Sequence, residues 1–116
     1  MSESNIQVNY FEYGVNCSSN FASINYMKNT ALAIEFKEEN LNSAVYTINE
    51  KDIEPILFRK TGTPLSERNY YYKSNSGRNE VQIQLQNAKV FMSNAQALKF
   101  TELVDAFHQA YLNVKK

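Results

Sequence analysis

Alternation of apolar and polar positions dominates the first two thirds of the chain. Ile6, Val8 and Tyr10 occupy every second position, and Phe11, Tyr13 and Val15 then alternate in the opposite phase. Period two is the signature of a strand with one buried face, and a one-residue slip of phase predicts a bulge or bend near Tyr10-Phe11. Cys17-Ser18-Ser19-Asn20 reads as a turn. Ala22, Ile24 and Tyr26 resume the alternation as far as a short turn at Lys28-Asn29. Leu32, Ile34 and Phe36 line one face of the next strand, with Ala33 and Glu35 on the other. After a charged loop over 37–43, Ala44, Tyr46 and Ile48 form a fourth strand. Together these segments predict a meander of antiparallel strands.

Residues 49–60 carry a mixed signal. Asn49 is placed to cap a short helix with Glu50 and Asp52 in its first turn, and Pro55 then kinks or ends it. The reading adopted is a short helical turn running into an extended segment; a loop followed by a strand over 56–60 is the alternative. Thr61-Gly62-Thr63-Pro64 is the clearest break in the chain. Tyr70, Tyr71 and Tyr72 fall in a strand over 69–73, and Ser74-Asn75-Ser76-Gly77 is a hairpin turn signal. Val81, Ile83 and Leu85 alternate with Gln82, Gln84 and Gln86, a half-buried strand followed by a last one over 89–92.

The period changes after Ser93. Phe100, Leu103, Val104, Phe107, Tyr111 and Val114 recur at helical spacing, and Ser93 with Gln96 matches a capping box. Leu98 and Leu112 lie away from that stripe, as a wider core face or as exposed contacts. The fold class expected is α+β: a curved antiparallel sheet of six or seven strands closed by one C-terminal amphipathic helix. Residues 1–116 are read as a single globular domain.

Composition narrows the class. The 116 residues are 43% apolar and 21% charged, ordinary globular usage that argues against disorder, collagen and coiled coil. With three glycines and two prolines against fifteen asparagines, the turns are expected to depend on asparagine and serine. The apolar runs are far shorter than the roughly 20 residues of a membrane span, and the first residues lack a secretory pattern. With one thiol, Cys17, the expected compartment is the cytoplasm.

Net charge is zero, but its sign is uneven. Residues 1–58 hold eight acids against three bases, and residues 59–116 hold nine bases against four acids. Opposed halves either pair within the fold or steer a partner.

No pattern supports catalysis. Cys17 and His108 are the only cysteine and histidine, and neither has a third orienting group near it in sequence. His108 and Asp105 are neighbours by helical spacing alone, and no G-x-S-x-G elbow occurs. Glu35, Glu38 and Glu39 lack the spacing of a calcium loop; Glu50, Asp52 and Glu54 read as a solvated turn rather than a cleft carboxylate pair. Glycine at 14, 62 and 77 builds no phosphate cradle. No metal and no cofactor is expected.

Two surface signals remain. Arg59, Lys60, Arg68, Lys73, Arg78 and Lys89 interleave with Tyr70, Tyr71, Tyr72 and Phe91, the residue types of a single-stranded nucleic-acid site. Gln82, Gln84 and Gln86 beside those tyrosines give a neutral polar and aromatic strand face of the kind used between proteins. The order of several antiparallel strands and then one amphipathic helix is similar to that of pleckstrin-homology-like domains and of Pur-type single-strand binders. That likeness is one of architecture, from which function does not follow.

The reading that ranks first is a non-catalytic protein-binding domain of inhibitor, immunity or adaptor type. Its expected partner residues are Arg59, Arg68, Tyr70, Tyr71, Tyr72, Lys73, Arg78, Gln82 and Gln84. A single-stranded nucleic-acid binder using segment 58–91 ranks second, because a neutral chain holds a polyanion poorly. A second copy of the chain is a further candidate partner; a membrane is not.

Overall fold

Hairpins build the first half of the molecule. The computed structural model describes residues 5–38, 41, 45–58, 71–73, 80–85 and 88–115, and of 71–73, 80–85 and 88 the backbone course alone. Strands β1 (Gln7–Phe11), β2 (Gly14–Ser18), β3 (Ala22–Met27), β4 (Ala31–Phe36) and β5 (Val45–Asn49) form an antiparallel sheet in sequence order. A 3-10 turn (Glu50–Asp52) and helix α1 (Ile53–Leu57) follow. Strands β6 (Tyr71–Lys73), β7 (Glu80–Leu85) and β8 (Ala88–Ser93) make a second antiparallel sheet, and helix α2 (Asn94–Lys115) ends the chain.

The α+β class, the antiparallel pairing and the C-terminal helix are as the sequence pattern indicates. The described strands number eight and fall into two sheets rather than one. The extra strand comes from residues 6–15, where the phase slip is a reversal of the chain and not a bulge. Glu12-Tyr13 is a two-residue turn that sets Tyr10 opposite Val15 and Phe11 opposite Gly14. Such a turn pairs residues of opposite parity, so one apolar face shows up in the sequence as a change of phase. The next turn also shifts. Cys17 and Ser18 belong to β2, and the reversal is held by Ser19, whose hydroxyl accepts from the Phe21 and Ala22 amides at 3.2 and 3.3 Å. Asn29 takes φ 64° in the β3–β4 turn, a left-handed conformation that asparagine tolerates. Asn49 precedes the 3-10 turn without a side-chain cap bond, and the helix runs through Pro55 to Leu57 before Phe58 becomes extended.

Register explains the core. Val15, Cys17, Ile24, Tyr26, Leu32, Ile34, Phe36 and Ile48 share the inner face of the five-stranded sheet and are buried. Phe100, Leu103, Val104, Phe107 and Tyr111 of α2 pack on them, joined by Val90 and Met92 of β8. The rings interlock: Tyr26 meets Phe107 and Tyr111 edge-on at 6.2 and 5.0 Å, and Phe36 meets Phe100 at 5.6 Å. Fully burying such side chains contributes about 1.5–3 kcal/mol each. The capping box is made in both directions: the Ser93 amide donates to Gln96 Oε1 at 2.9 Å, and the Gln96 amide donates to Ser93 Oγ at 3.2 Å. Leu98 and Leu112 are exposed, so they are not part of the core face. The last turn of α2 is tied to α1 by an ion pair between Lys115 and Glu54.

Candidate functional site

The five-stranded sheet has a second face, and its make-up is unusual. Antiparallel register places Gln7, Ser18, Ser23, Glu35 and Val45 in one row across it. Asn9, Asn16, Asn25, Ala33 and Thr47 make the next row. Phe11, Gly14 and Met27 continue the face toward the hairpin end. Glu35 is the only charged residue in these rows. The solvated face of an antiparallel sheet is ordinarily polar, but asparagine is among the residues most depleted in strands. Three asparagines side by side therefore run against local propensity, a conflict that marks function or strain. The row is ordered: Asn16 Nδ2 donates to Asn25 Oδ1 at 2.6 Å. Phe11 and Met27 are 44% and 45% exposed, and Val45 is 59% exposed, so large apolar groups stand in water among the amides. Phe11, Met27, Ala31 and Ala33 shape a shallow apolar depression of about 280 Å³.

Gly14 is what lets that face lie close at the hairpin. A Cβ there would run into the Tyr26 carbonyl oxygen and lie 2.7 Å from Phe11 Cε2. The bare backbone leaves Phe11 room to fold over β2.

The residues expected from sequence map mainly to the other sheet. Tyr71, Tyr72 and Lys73 form β6, and Gln82 and Gln84 lie in β7. Register puts Tyr72, Gln82 and Phe91 in one row, and Phe91 is 51% exposed. Tyr71 falls in the row of buried Val90, and Lys73 in that of buried Met92. Arg59, Arg68, Tyr70 and Arg78 lie outside the described residues, as do the turns at 61–64 and 74–77. Phe58, at the start of the basic segment, is no stacking platform: it packs on Phe107 and Tyr111 and stacks on His108 at 4.0 Å. The asparagine row was missed because the sequence reading assigned asparagine to turns. The signal was present in the polar half of each alternation.

Several of the titratable groups considered for chemistry are held by structural contacts or burial. Cys17 is buried in β2, and burial pushes its thiol up to about 11, away from the low values that make a nucleophile. His108 stacks on Phe58. Glu50 accepts from the Tyr26 hydroxyl at 2.8 Å, and burial together with that bond raises the Tyr26 pKa well above its ordinary value. Glu38 accepts from Gln96 Nε2 at 2.9 Å, and Glu54 pairs with Lys115. Among the described residues, no three histidine, cysteine, aspartate or glutamate side chains cluster as a metal shell would. A groove of about 410 Å³ lies between the start of α2 and the β2–β3 turn; Ile6, Phe21 and Leu98 line it, with Lys99 and Glu102 on the helix side. No described helix is long and apolar enough to cross a membrane. Comparison with family models, with curated proteins and with solved structures finds no match.

Proposed function

We propose that this chain is a non-catalytic domain that binds another protein through the outer face of its five-stranded sheet. The observation that supports this best is the Asn9–Asn16–Asn25 row flanked by exposed Phe11 and Met27. Asparagine and serine with a few aromatic anchors are the residue types that build adaptable protein-binding surfaces. Amides hydrogen-bond a partner's peptide and side-chain groups, and Phe11 and Met27 supply apolar area. With no base and one acid, these rows have nothing to track a phosphate backbone. An inhibitor, immunity or adaptor role fits a small surface of this kind.

The test is capture from native extract with the immobilised full chain. Proteins retained by the wild type should be lost with Met27→Glu, whose site is exposed, and kept with Leu112→Ala on the far side of α2. An unchanged set of retained proteins would remove this face from consideration.

A second reading is favoured by one feature, the exposed Phe91 in the row of Tyr72 and Gln82, with exposed Lys89 beside it. An aromatic and basic strand face suits stacked bases of a single strand. It ranks second because the chain is neutral overall.

A further inference from the structure

Strand β1 is an edge of its sheet, and all five of its residues are exposed. Which backbone groups it leaves open follows from the ladder. The Lys28 amide donates to the Tyr13 carbonyl at 2.7 Å, and the Ser19 amide donates to the Ala22 carbonyl at 2.8 Å. The odd-numbered residues of β2 thus turn their backbone toward β3, and its even-numbered residues turn toward β1. Gly14, Asn16 and Ser18 pair with Phe11, Asn9 and Gln7, so those three β1 residues spend their amides and carbonyls inside the sheet. Val8 and Tyr10 are left with both groups aimed at the open edge.

The side chains of Val8 and Tyr10 are equally incomplete. They share the inner face with buried Cys17 and Val15, yet remain 39% and 55% exposed, because α2 covers them only in part. Asn113 Nδ2 reaches the Tyr10 hydroxyl at 3.3 Å, which leaves the apolar part of the ring open. Among the described residues the edge is unprotected: β1 has no charge, no proline and no bulge.

We propose that two copies of this chain join through β1, antiparallel, about a two-fold axis at Asn9, to make one continuous ten-stranded sheet. The strand is self-complementary in that register. Val8 stands opposite Tyr10 of the second copy, so the two residues with open backbone groups exchange both hydrogen bonds, and symmetry repeats the pair. Their half-exposed side chains then cover one another and continue the buried inner row. On the other face Asn9 meets its own equivalent, and the Asn9–Asn16–Asn25 row doubles. Two uncharged strands from a chain of zero net charge meet without repulsion, and neutrality favours self-association. The inference goes beyond the proposed function and rests on the edge rather than the outer face, so either can fail alone.

The test uses the purified full chain and no partner. Sedimentation equilibrium is run from about 1 µM to about 1 mM, a span that brackets the affinity of an interface at the small end of the specific range. The expected result is a mass rising from 13.4 kDa toward twice that value. Val8→Pro removes the outward amide donor without breaking a bond to β2, trims the side chain at the seam, and should weaken association about tenfold or more. Asn9→Lys places like charges on the axis at an exposed position, and should do the same even if the proline variant folds poorly. Asn9→Cys, oxidised with glutathione disulfide, should form a covalent dimer, because a non-hydrogen-bonded pair sets its Cα atoms about 4.5 Å apart. Gln7→Cys should not, its equivalents lying about 13 Å apart along the strand. A monomer at every concentration overturns the proposal, whether the edge stays open or takes a foreign strand. So does a dimer indifferent to Val8→Pro and Asn9→Lys, or equal cross-linking at Gln7→Cys.

Discussion

Burial of Cys17 predicts a stability difference that depends on pH in a defined direction. The folded thiol is pushed to about 11 from an ordinary 9.0. The folded chain therefore holds this proton more tightly than the unfolded chain does. Below pH 9 both states keep it and the thiol adds no pH dependence. Between pH 9 and pH 11 the unfolded state loses it first, so stability falls as pH rises. At pH 10.5 the loss is about 2 kcal/mol, from a difference of two pKa units evaluated partway through the window. Tyr26 and Tyr111, whose pKa values are also raised by burial, lose stability in the same direction from about pH 10. Those two contributions are shared by wild type and Cys17→Ala and cancel in their difference. Urea unfolding at pH 7 and pH 10.5 should show Cys17→Ala less stable at pH 7, with the gap shrinking by about 2 kcal/mol at the higher pH. Native protein at pH 8 should also react with a thiol reagent far more slowly than protein in urea. A gap independent of pH, together with rapid native labelling, would refute the burial argument and reopen Cys17 as a reactive group.

Phe107→Ala should cost about 3–5 kcal/mol in urea unfolding, since the ring is fully buried against Tyr26, Phe58 and Tyr111. Leu112→Ala, at an exposed site on the same helix, should stay within about 0.5 kcal/mol of wild type; equal losses would mean the helix face is misassigned. Gly14→Ala should cost about 1–3 kcal/mol by the same measurement, because its Cβ would strike backbone at Tyr26 and lie 3.2 Å from Met27 Cα; a neutral result would deny the close approach of β2 and β3. Single-stranded oligonucleotide should bind weakly at about 150 mM salt. Submicromolar binding with a log–log salt slope of about −0.7 per phosphate, lost on Arg68→Ala or Lys73→Ala, would place the nucleic-acid reading first.

The helix was legible because two independent signals agree on it. The Ser93 and Gln96 types at capping distance and the Phe100-to-Val114 stripe both act within a few residues, and both are met in the structure. The β3 and β4 pairing was legible for the same reason: Ile24, Tyr26, Leu32 and Ile34 alternate on either side of a short turn. The β1–β2 hairpin was not, because Glu12-Tyr13 has none of the glycine or asparagine that usually announces a two-residue turn. Cys17 was misplaced because serines beside it suggested a turn, while its partner Ile24, seven residues on, was what held it in the sheet. The outer face escaped notice for a further reason. Cross-strand neighbours such as Asn9, Asn16 and Asn25 become a surface only once register is fixed, and register depends on the turns.

Photo-cross-linking distinguishes the outer sheet face from the rest of the surface as the place where a partner protein binds. Benzoylphenylalanine replaces Phe11 in one preparation and Leu112 in another, both positions being exposed, and each is irradiated in native extract. A discrete protein adduct is expected from position 11, absent from position 112 and suppressed when Met27→Glu is added. Adducts to nucleic acid from position 11, or the same protein adducts from both positions, would contradict protein binding through that face.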